Sequence, residues 1–565
     1  MFHNTGILEN NKLTRLKSRQ TIVIGLLIVM IAQCMVLVYW HGQKGNYFLD
    51  ELYTFEHARN YTFDEDVYFM SDPSWQYETW MDADGMLSHL TVAQGEGLRS
   101  LPFTESLHLL LTKRTYMGMM NLIMSATTPF DGYATGSLIL NMVFFFLAEL
   151  LLFYCIKTLT GRKEIALLSI IMFGFSGIIM SMCTYIRFYM LAIMLLLIVI
   201  ACHIKLWDTR DHVRFVGWEL LAFLAAYYGM KHSELMFMLC GTFFCLFFFS
   251  LLIRKQFRAS LIYALPLLAG TYWFVYRKTY LIEMVLHPSA FVQPDDYGKG
   301  TIAYNLMTVT WERASGTIAT LWDCVYDKWF GGMAVFIVFA AAGLGYFILF
   351  VVQRKKADQK VFSGADRNRY SGLVLLILLT ALIGLTFNVL TDMYSNRYSS
   401  FEVVLLMICF WYGIGQLCRY DFKWRPVFLA AIAAITLWGA VMGQQADHFA
   451  YLYPKSKEVT TAVKQYEDLD CVFFQGATEE NYDLGLERHA FYDCICHTGF
   501  NAKVYVMDPL RTGSLKEIDP PDRFLAWCFW SGGDNRMKRL MDGSDYEITP
   551  LGATHMNYIY LCEKK

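Results

Sequence analysis

The sequence predicts an α-helical membrane protein that crosses the bilayer many times and carries a small α/β domain at its C-terminal end. Of its 565 residues, 55% are hydrophobic and only 17% are charged, a balance typical of polytopic membrane proteins. The apolar residues are gathered into runs of about 20, the length that a helix needs to cross a bilayer. Residues 444–565 lack such runs and alternate short apolar stretches with polar ones, which indicates strands packed with helices.

Eleven runs are long enough to span a membrane, and they begin near residues 21, 136, 164, 188, 214, 234, 259, 331, 370, 400 and 425. Cytoplasmic loops carry an excess of lysine and arginine. With the N-terminus in the cytoplasm, the inside segments hold 22 of these residues and the short outside loops hold 8. This asymmetry fixes the orientation, and the odd number of spans places the C-terminal region outside.

This topology divides the chain into a cytoplasmic N-terminus (1–20), a transmembrane domain (21–443) and an extracytoplasmic α/β domain (444–565). The transmembrane domain includes two large outside loops, 41–135 and 277–330. The first span lacks a small-residue cleavage site, so we expect an uncleaved anchor. In the tail, strands are predicted near Cys471, Lys503, Arg523 and Asn557. The tail has no glycine-rich phosphate-binding motif, so we expect no nucleotide there; its expected role is to shape one wall of a cleft.

The stretch Tyr47–Arg59 follows the first span and contains the adjacent acids Asp50 and Glu51. As a helix, it would place polar and apolar side chains on opposite faces. The polar face would hold Asp50, Thr54 and His57, and the apolar face Phe48, Leu52 and Phe55. We expect the apolar face to rest on the membrane surface. Carboxylates beside a bilayer are costly to bury in lipid, which makes the two acids candidates for function.

Several cations share the outer membrane edge with these acids. Arg187 lies in a tight turn between Tyr185 and Tyr189, and the other cations are Lys113, Lys231 with His232, and Arg397. An arginine fork suits phosphate oxygens, and a carboxylate can deprotonate an attacking hydroxyl. The combination suggests an enzyme that takes a sugar from a lipid phosphate. Asp50 would be the base, and Arg187, Arg397 and Lys113 would bind the phosphate, whose developing charge needs stabilisation.

The Asp50–Glu51 pair after the first span resembles the first-loop motif of the GT-C superfamily of glycosyltransferases, which use lipid-phosphate sugars. The superfamily includes protein O-mannosyltransferases and aminoarabinose transferases. The Tyr185–Tyr189 turn, the span end at His232, and Arg397–Tyr398 are similar to further motifs of these enzymes, whereas the Pro-Pro pair of many relatives is missing around Lys113. The resemblance covers the whole chain in layout, including the GT-C-like arrangement of spans, but only short motifs in sequence.

The resemblance implies inverting transfer of a sugar from a polyprenyl-phosphate donor to a hydroxyl acceptor at the outer face of the membrane. It implies a catalytic role for Asp50 and Glu51, donor-phosphate binding by Arg187, Arg397 and Lys113, and a substrate pocket formed by Tyr185, Tyr189, His232 and His57. The acceptor would be a lipid, a glycan or a protein. The expected location is the bacterial inner membrane, with the active site and the tail on the periplasmic side.

Other partners are constrained more weakly. A net charge of −2 gives no field that would attract nucleic acid, whereas contact with membrane lipids follows from the spans. Residues 41–135 hold 13 acidic and 5 basic residues. Binding of a divalent metal is therefore possible, but the sequence shows no recognisable set of metal ligands. No cofactor is predicted.

Two other classes of function remain open from the sequence. A transporter or flippase for a lipid-linked glycan would also need cations facing an anionic lipid, but it should carry charges at mid-membrane depth. The polar residues singled out here lie at the outer edge, which favours the enzyme. A non-catalytic membrane scaffold predicts that Asp50 can be replaced by asparagine without loss of function.

Overall fold

The structure, a computed structural model, describes residues 4–62, 78–277, 309–356, 369–391, 395–418, 423–475, 484–507 and 518–565. Twenty α-helices lie in these ranges. In chain order they are α1 (Asn4–Gly42), α2 (Leu49–Arg59), α3 (Ala83–Leu87), α4 (Phe103–Thr112), α5 (Thr115–Met124), α6 (Asp131–Thr160), α7 (Lys163–Gly174), α8 (Gly177–Thr184), α9 (Tyr189–Asp208), α10 (His212–His232), α11 (Glu234–Ile253), α12 (Phe257–Arg277), α13 (Trp311–Asp323), α14 (Met333–Lys356), α15 (Ser371–Thr391), α16 (Asn396–Leu417), α17 (Arg425–Met442), α18 (Lys457–Val463), α19 (Leu484–Cys496) and α20 (Gly533–Met541).

Seven of the described helices are long and apolar enough to cross a membrane, namely Gln20–Gly42 in α1, α6, α9, Leu235–Ile253 in α11, α15, Arg397–Leu417 in α16, and α17. The number of candidate spans among the described residues rises to nine if each of two bent helix pairs is counted as one span. In one pair α7 and α8 meet at 59°, and in the other Trp311–Trp329 and Met333–Leu349 meet at 82°. The other two predicted spans coincide with α10 and α12, which are helical but do not meet the same test of length and apolarity. The chain is an integral membrane protein of the predicted helical class.

The chain divides into two compact units that do not follow its linear order. Unit 1 contains residues 1–36, 141–183 and 188–449. Its central helix is α9, in which 78% of the apolar window is buried, whereas the span in α1 is only 11% buried. A helix that is apolar on every side must be covered by others; α9 packs along α10, α11 and α16.

Unit 2 contains residues 37–140, 184–187 and 450–565. The first outside loop and the tail, which the sequence analysis assigned to different domains, therefore belong to one compact body. The short turn between α8 and α9 belongs to it as well.

Unit 2 is built around a six-stranded sheet. Its strands are β1 (Trp80–Asp82), β2 (Cys471–Phe474), β3 (Lys503–Val506), β4 (Arg523–Phe529), β5 (Tyr546–Ala553) and β6 (Asn557–Lys564). Their order in the sheet is β1-β3-β2-β4-β6-β5. Strands β3 and β4 run parallel to β2, and the remaining pairs are antiparallel. All four predicted strands are confirmed; β1 and β5 were not predicted.

The central strands are buried because helices cover both faces of the sheet. Every residue of β2 is buried, as expected for a parallel strand covered on both sides. Phe474 belongs to an apolar cluster that includes Met537 of α20. The neighbouring Phe473 points the other way, where its ring centroid lies 5.3 Å from that of Phe491 in α19. The α/β character of the tail is therefore confirmed.

Candidate functional site

The predicted helix through Asp50 and Glu51 is confirmed as α2. Phe48, in extended conformation, precedes its first turn, and its backbone N–H donates a hydrogen bond of 2.8 Å to Glu51 Oε2. An acid three residues into a helix commonly reaches back to the capping amide in this way. Both acids stand in the first turn, where the helix dipole favours negative charge.

Glu51 is fully buried, and both of its oxygens accept hydrogen bonds. Lys44 Nζ lies 2.9 Å from Oε1 and 3.0 Å from Oε2, and the backbone N–H of Ile186 donates to Oε1 at 2.8 Å. Lys44 also donates to the carbonyl of Tyr451 at 2.9 Å. Burial raises the pKa of Glu51, while the Lys44 ammonium and the two backbone donors act in the opposite direction. Glu51 therefore ties α2 to the 184–187 turn and to the tail.

Asp50 has a different environment from its neighbour. The Tyr185 hydroxyl donates to its Oδ2 at 2.9 Å, and Arg187 Nη2 lies 4.0 Å from the same oxygen. Arg187 Nη1 also donates to Thr54 Oγ1 at 3.2 Å. The Asp50 side chain is 20% exposed and that of Arg187 is 16% exposed. Of the two acids, Asp50 is the one that a bound molecule can reach.

An aromatic cluster supports this carboxylate. The Tyr185 ring is fully buried and stacks on Tyr451, with centroids 4.2 Å apart. Phe48 packs on Tyr451 at 5.0 Å and on His489 at 5.4 Å. Because the rings hold one another, the Tyr185 hydroxyl is fixed in position against Asp50.

One sequence expectation about α2 was wrong. Its apolar side does not rest on the membrane surface, because Leu52 and Phe55 are fully buried in protein. The Phe55 ring packs against Tyr47 and Tyr133 at 5.6 and 5.4 Å. Thr54, on the polar face, is buried too. The helix is a core element of unit 2, and periodicity alone cannot distinguish lipid from protein as the apolar neighbour.

A network that includes His489 and His555 contacts residues 46 and 47, just before the start of α2. His489 Nε2 is 3.1 Å from the Tyr47 carbonyl oxygen and 3.0 Å from His555 Nε2. His555 Nδ1 is 3.2 Å from Asn46 Nδ2. The orientation of the Asn46 amide is fixed, because its Nδ2 donates to Asp493 and its Oδ1 accepts from the backbone of Tyr47 at 2.8 Å.

These distances restrict where the protons can be. Asn46 must donate to His555 Nδ1, so a neutral His555 carries its proton on Nε2 and donates to His489 Nε2. A ring nitrogen that accepts this bond cannot also donate to the Tyr47 carbonyl. His489 Nε2 therefore either accepts a hydrogen bond from His555 or donates one to the Tyr47 carbonyl, but it cannot do both. Burial lowers the pKa of His489, and it lowers the pKa of His555 to about 4.

Of the other two predicted residues of unit 2, Lys113 lies close to the end of α2 and His57 lies on α2 itself. Lys113 falls between α4 and α5, and its Nζ donates to the carbonyl of Tyr61 at 3.1 Å. His57 is half-buried on α2, seven residues after Asp50 and therefore near the same helical face.

The remaining predicted residues belong to unit 1. Tyr189 opens α9, and its ring packs against Phe188 at 4.7 Å and Phe401 at 6.1 Å. Phe188 also stacks on His232 at 5.5 Å. Arg397 stands one turn before Phe401 on α16, with its guanidinium 4.9 Å from the Tyr398 ring. The structure thus brings Tyr189 and His232 together around Phe188.

Several residues of the site were not predicted. Tyr451 and His555 have no local signal, because their partners are far away in the sequence. Lys44 pairs with Glu51, seven residues later, across the turn that precedes α2. His489 and Asp493 on α19 and His497 just after it recur every four residues, so this polar stripe could have been found. Within the described ranges, no group of three or more histidine, cysteine, aspartate or glutamate side chains is arranged to hold a metal ion.

No protein-family model and no curated protein sequence matches the chain. Among solved structures, the chain is similar to ArnT from Cupriavidus metallidurans bound to undecaprenyl phosphate. The two sequences are 8% identical, the match covers 95% of this chain and 97% of that chain, and the TM-score is 0.46. It is also similar to the apo form of the Archaeoglobus fulgidus oligosaccharyltransferase, with 10% identity, coverage of 86% and 65%, and a TM-score of 0.46. Both proteins are members of the GT-C superfamily, which the sequence motifs resemble. At these identities and scores the likeness carries no argument about activity.

Proposed function

We propose that the protein is an inverting glycosyltransferase that moves a sugar from a polyprenyl-phosphate donor to a hydroxyl acceptor. The observation that supports this proposal is the Asp50 carboxylate, partly exposed, oriented by the Tyr185 hydroxyl and 4.0 Å from the Arg187 guanidinium. A base beside a fixed cation is what transfer from a lipid phosphate needs. The reaction would take place at the outer face of a bacterial inner membrane.

Asp50 would act as the general base. The acceptor oxygen attacks the anomeric carbon of the sugar, and its proton passes to the Asp50 carboxylate. The bond between the anomeric carbon and the phosphate oxygen breaks on the opposite side, and its electron pair leaves with the polyprenyl phosphate. A single displacement of this kind inverts the anomeric centre. Arg187 would stabilise the charge that develops on the leaving phosphate.

Glu51 would act by positioning rather than by proton transfer, because its oxygens are occupied by Lys44, Phe48 and Ile186. The Ile186 bond fixes the turn that presents Tyr185 and Arg187. Lys113 and Arg397 remain proposed ligands of the donor phosphate, and His57, Tyr189 and His232 remain proposed lining of the substrate pocket.

One observation favours the alternative of a transporter for lipid-linked glycans. Glu149 is fully buried in the span α6, and ionisable residues inside spans often mark transport paths. However, Glu149 lies against the Gly174 backbone and the Gln33 amide, so closely that a Cβ on residue 174 would collide with both. This packing favours a structural role for Glu149, and therefore the enzyme.

The proposal is tested by a transfer assay on the purified full-length protein with a panel of polyprenyl-phosphate sugars and acceptors. We expect Asp50→Asn to lower kcat by roughly 10²–10⁴-fold, the usual contribution of a general base. Arg187→Ala should lower it strongly, and Arg187→Lys should recover part of the loss, because lysine keeps the charge without the fork.

The matched control is Asp84→Asn, which removes a carboxylate that is exposed in the same loop and should leave transfer unchanged. Full transfer by both Asp50→Asn and Arg187→Ala would overturn the site. Movement of a labelled lipid-linked glycan across liposomes, without any transfer product, would favour the transporter.

A further inference from the structure

A polar stripe lies along α18 and the turn that follows it. The stripe consists of Lys457, the adjacent Thr460 and Thr461, Lys464 and Glu467. Each of these residues is three or four positions from another, which places them near one helical face. All five line the same cavity of about 940 Å³, which is at the upper end of the range for ligand pockets of about 300–1,000 Å³. The stripe spans eleven residues, which is ten steps or about 15 Å at the rise of an α-helix. One wall of the cavity therefore extends along this face.

The other walls come from three segments of unit 2. They are the end of α1 with residues 44–47, residues 128–130 with the start of α6, and the end of α19 with residues 497–501. The cavity does not include Asp50, but Tyr47 stands three residues before it, which is at most about 11 Å of extended chain. The part of the cavity wall formed by Tyr47 is therefore close to the proposed base.

The charges that line the cavity do not favour an ion of either sign. Three lysines and three acids contribute to the lining, namely Lys44, Lys457, Lys464, Asp131, Glu467 and Asp468. Lys464 and Asp131 pair with each other at 2.7 Å, and Lys44 pairs with Glu51. This balance is unsuited to a strongly anionic or cationic ligand.

Hydroxyl groups dominate the rest of the polar lining. The hydroxyls of Thr135, Thr460, Thr461 and Thr498 each donate to a backbone carbonyl, at 2.9, 3.1, 2.7 and 2.9 Å. Since a hydroxyl has one donor and two acceptor lone pairs, each can still accept a hydrogen bond from a ligand. Asn501 adds an amide, and the Phe500 ring, 43% exposed, adds an apolar face.

We propose that this cavity binds a chain of neutral sugars, as the glycan part of the acceptor. Sugar hydroxyls would donate to the threonine oxygens, and the C–H face of a ring would pack on Phe500. The inference rests on the proposed function and narrows its acceptor from any hydroxyl compound to a glycan longer than one sugar. The glycan can belong to a membrane glycolipid or be soluble, because the same chemistry recognises both.

Binding to an array tests the proposal with the purified full-length protein in detergent. The array carries neutral, acidic and amine-bearing oligosaccharides of one to six sugars, with serine- and threonine-rich peptides on the same surface. We expect retention on neutral chains longer than one sugar. The double variant Thr461→Val/Phe500→Ala should weaken retention at least tenfold, whereas Thr549→Val, on the exposed strand β5, should not weaken it.

The outcomes are separable from those of the transfer assay. Asp50→Asn should bind glycans as the unchanged protein does, since it alters the base and not the cavity. If the Asp50→Asn protein binds the glycans but transfers no sugar, both proposals are supported. If it binds the glycans and its transfer activity is unchanged, only the proposed site of reaction is overturned. The glycan site is overturned if the protein binds only the peptides, if it binds no probe, or if the double variant binds glycans as strongly as the unchanged protein. Competition between a soluble tetrasaccharide and the same glycan on lipid vesicles then identifies the source, and either result supports a glycan site.

Discussion

Glu51 in unit 2 and Glu149 in unit 1 are both fully buried carboxylates, yet their surroundings differ. Glu51 is matched by a full opposite charge, since Lys44 bonds both of its oxygens and two backbone amides add to it. Glu149 lies beside an amide, Gln33, in a slot that the glycine at position 174 leaves open. Glu402 on α16 repeats the second pattern against Gly384.

The difference shows that Glu51 is accommodated in unit 2 by an ion pair, whereas Glu149 and Glu402 are accommodated in unit 1 by close packing against glycines. For Glu51 in unit 2 the buried charge is paired with the charge of Lys44, so removing one partner leaves the other charge unpaired. In unit 1 Glu149 and Glu402 lie against glycines, small residues that allow the close approach of helices, as is common between transmembrane helices. Breaking each arrangement should therefore produce a different kind of defect.

The largest effect is expected from Glu51→Gln. Lys44 is 6% exposed, and without its carboxylate partner its charge would be buried and uncompensated, which costs about 3–5 kcal/mol. The measurement is the unfolding midpoint of the purified protein. Removing both charges in Glu51→Gln/Lys44→Met should recover most of the loss, and Glu547→Gln, exposed on β5, is the control. Equal losses in the single and double variants would show that charge pairing is not the cause.

The next effect concerns pH and the histidine network. The pKa of His555 is about 4 in the folded protein and about 6.5 when unfolded. Between these values the unfolded chain binds more protons, so stability is present above pH 6.5 and is lost as the pH falls toward 4, by up to about 3 kcal/mol. Burial is the main cause of the lowered pKa of His555; Asp493 opposes it, while His489, Lys44 and His497 lower the pKa further.

Unfolding midpoints measured from pH 7.5 to 4.5 check this expectation. His555→Gln should flatten the decline, whereas His108→Gln, at an exposed position of α4, should leave it unchanged. A decline of the same slope in both variants would mean that other groups carry the pH dependence.

A smaller effect is expected from Gly174→Ala in unit 1. The added methyl group would meet Gln33 and Glu149, and overpacking of this kind costs about 1–3 kcal/mol. Gly217→Ala on α10 is the matched control, because a Cβ there meets nothing within 4 Å and should be neutral or stabilising. If the two variants unfold at the same midpoint, the close packing at Gly174 is not stabilising.

The smallest effect is expected at the exposed pair Lys464–Asp131. Its nitrogen and oxygen are 2.7 Å apart, but the side chains are 62% and 76% exposed. Surface pairs contribute about 0–1 kcal/mol. A double-mutant cycle with Lys464→Ala and Asp131→Ala should give a coupling energy in that range, and a coupling above it would show that the pair is more than a surface contact.

The sequence predicted those parts of the fold that have a strong local pattern. The buried runs at Cys471 and Arg523 identify strands, and each predicted span begins at a helix. Strand β1 has only three residues, and β5 contains Pro550 in an exposed edge with a bulge, so neither shows the apolar alternation that identifies a strand.

The candidate site was predictable in its residue types but not in its pairings. The Asp50–Glu51 stretch and Tyr185–Arg187 stand out locally, yet which acid pairs with which cation depends on tertiary contacts. Lys44, only seven residues before Glu51, was missed because the pair forms across a capping turn. The contact with Tyr451 is 407 residues away in the chain and has no sequence pattern at all.

That long separation has a consequence for how the protein is made. The ribosome has released nearly four-fifths of the chain before Tyr451 emerges, and the strand that pairs with β1 follows later still. A nascent chain can thus have every helical hairpin inserted while the surroundings of Asp50 are still open on one side. A premature stop codon between Met442 and Tyr451 would leave all the described candidate spans translated but would remove the Tyr451 carbonyl that accepts from Lys44, the partner of Glu51.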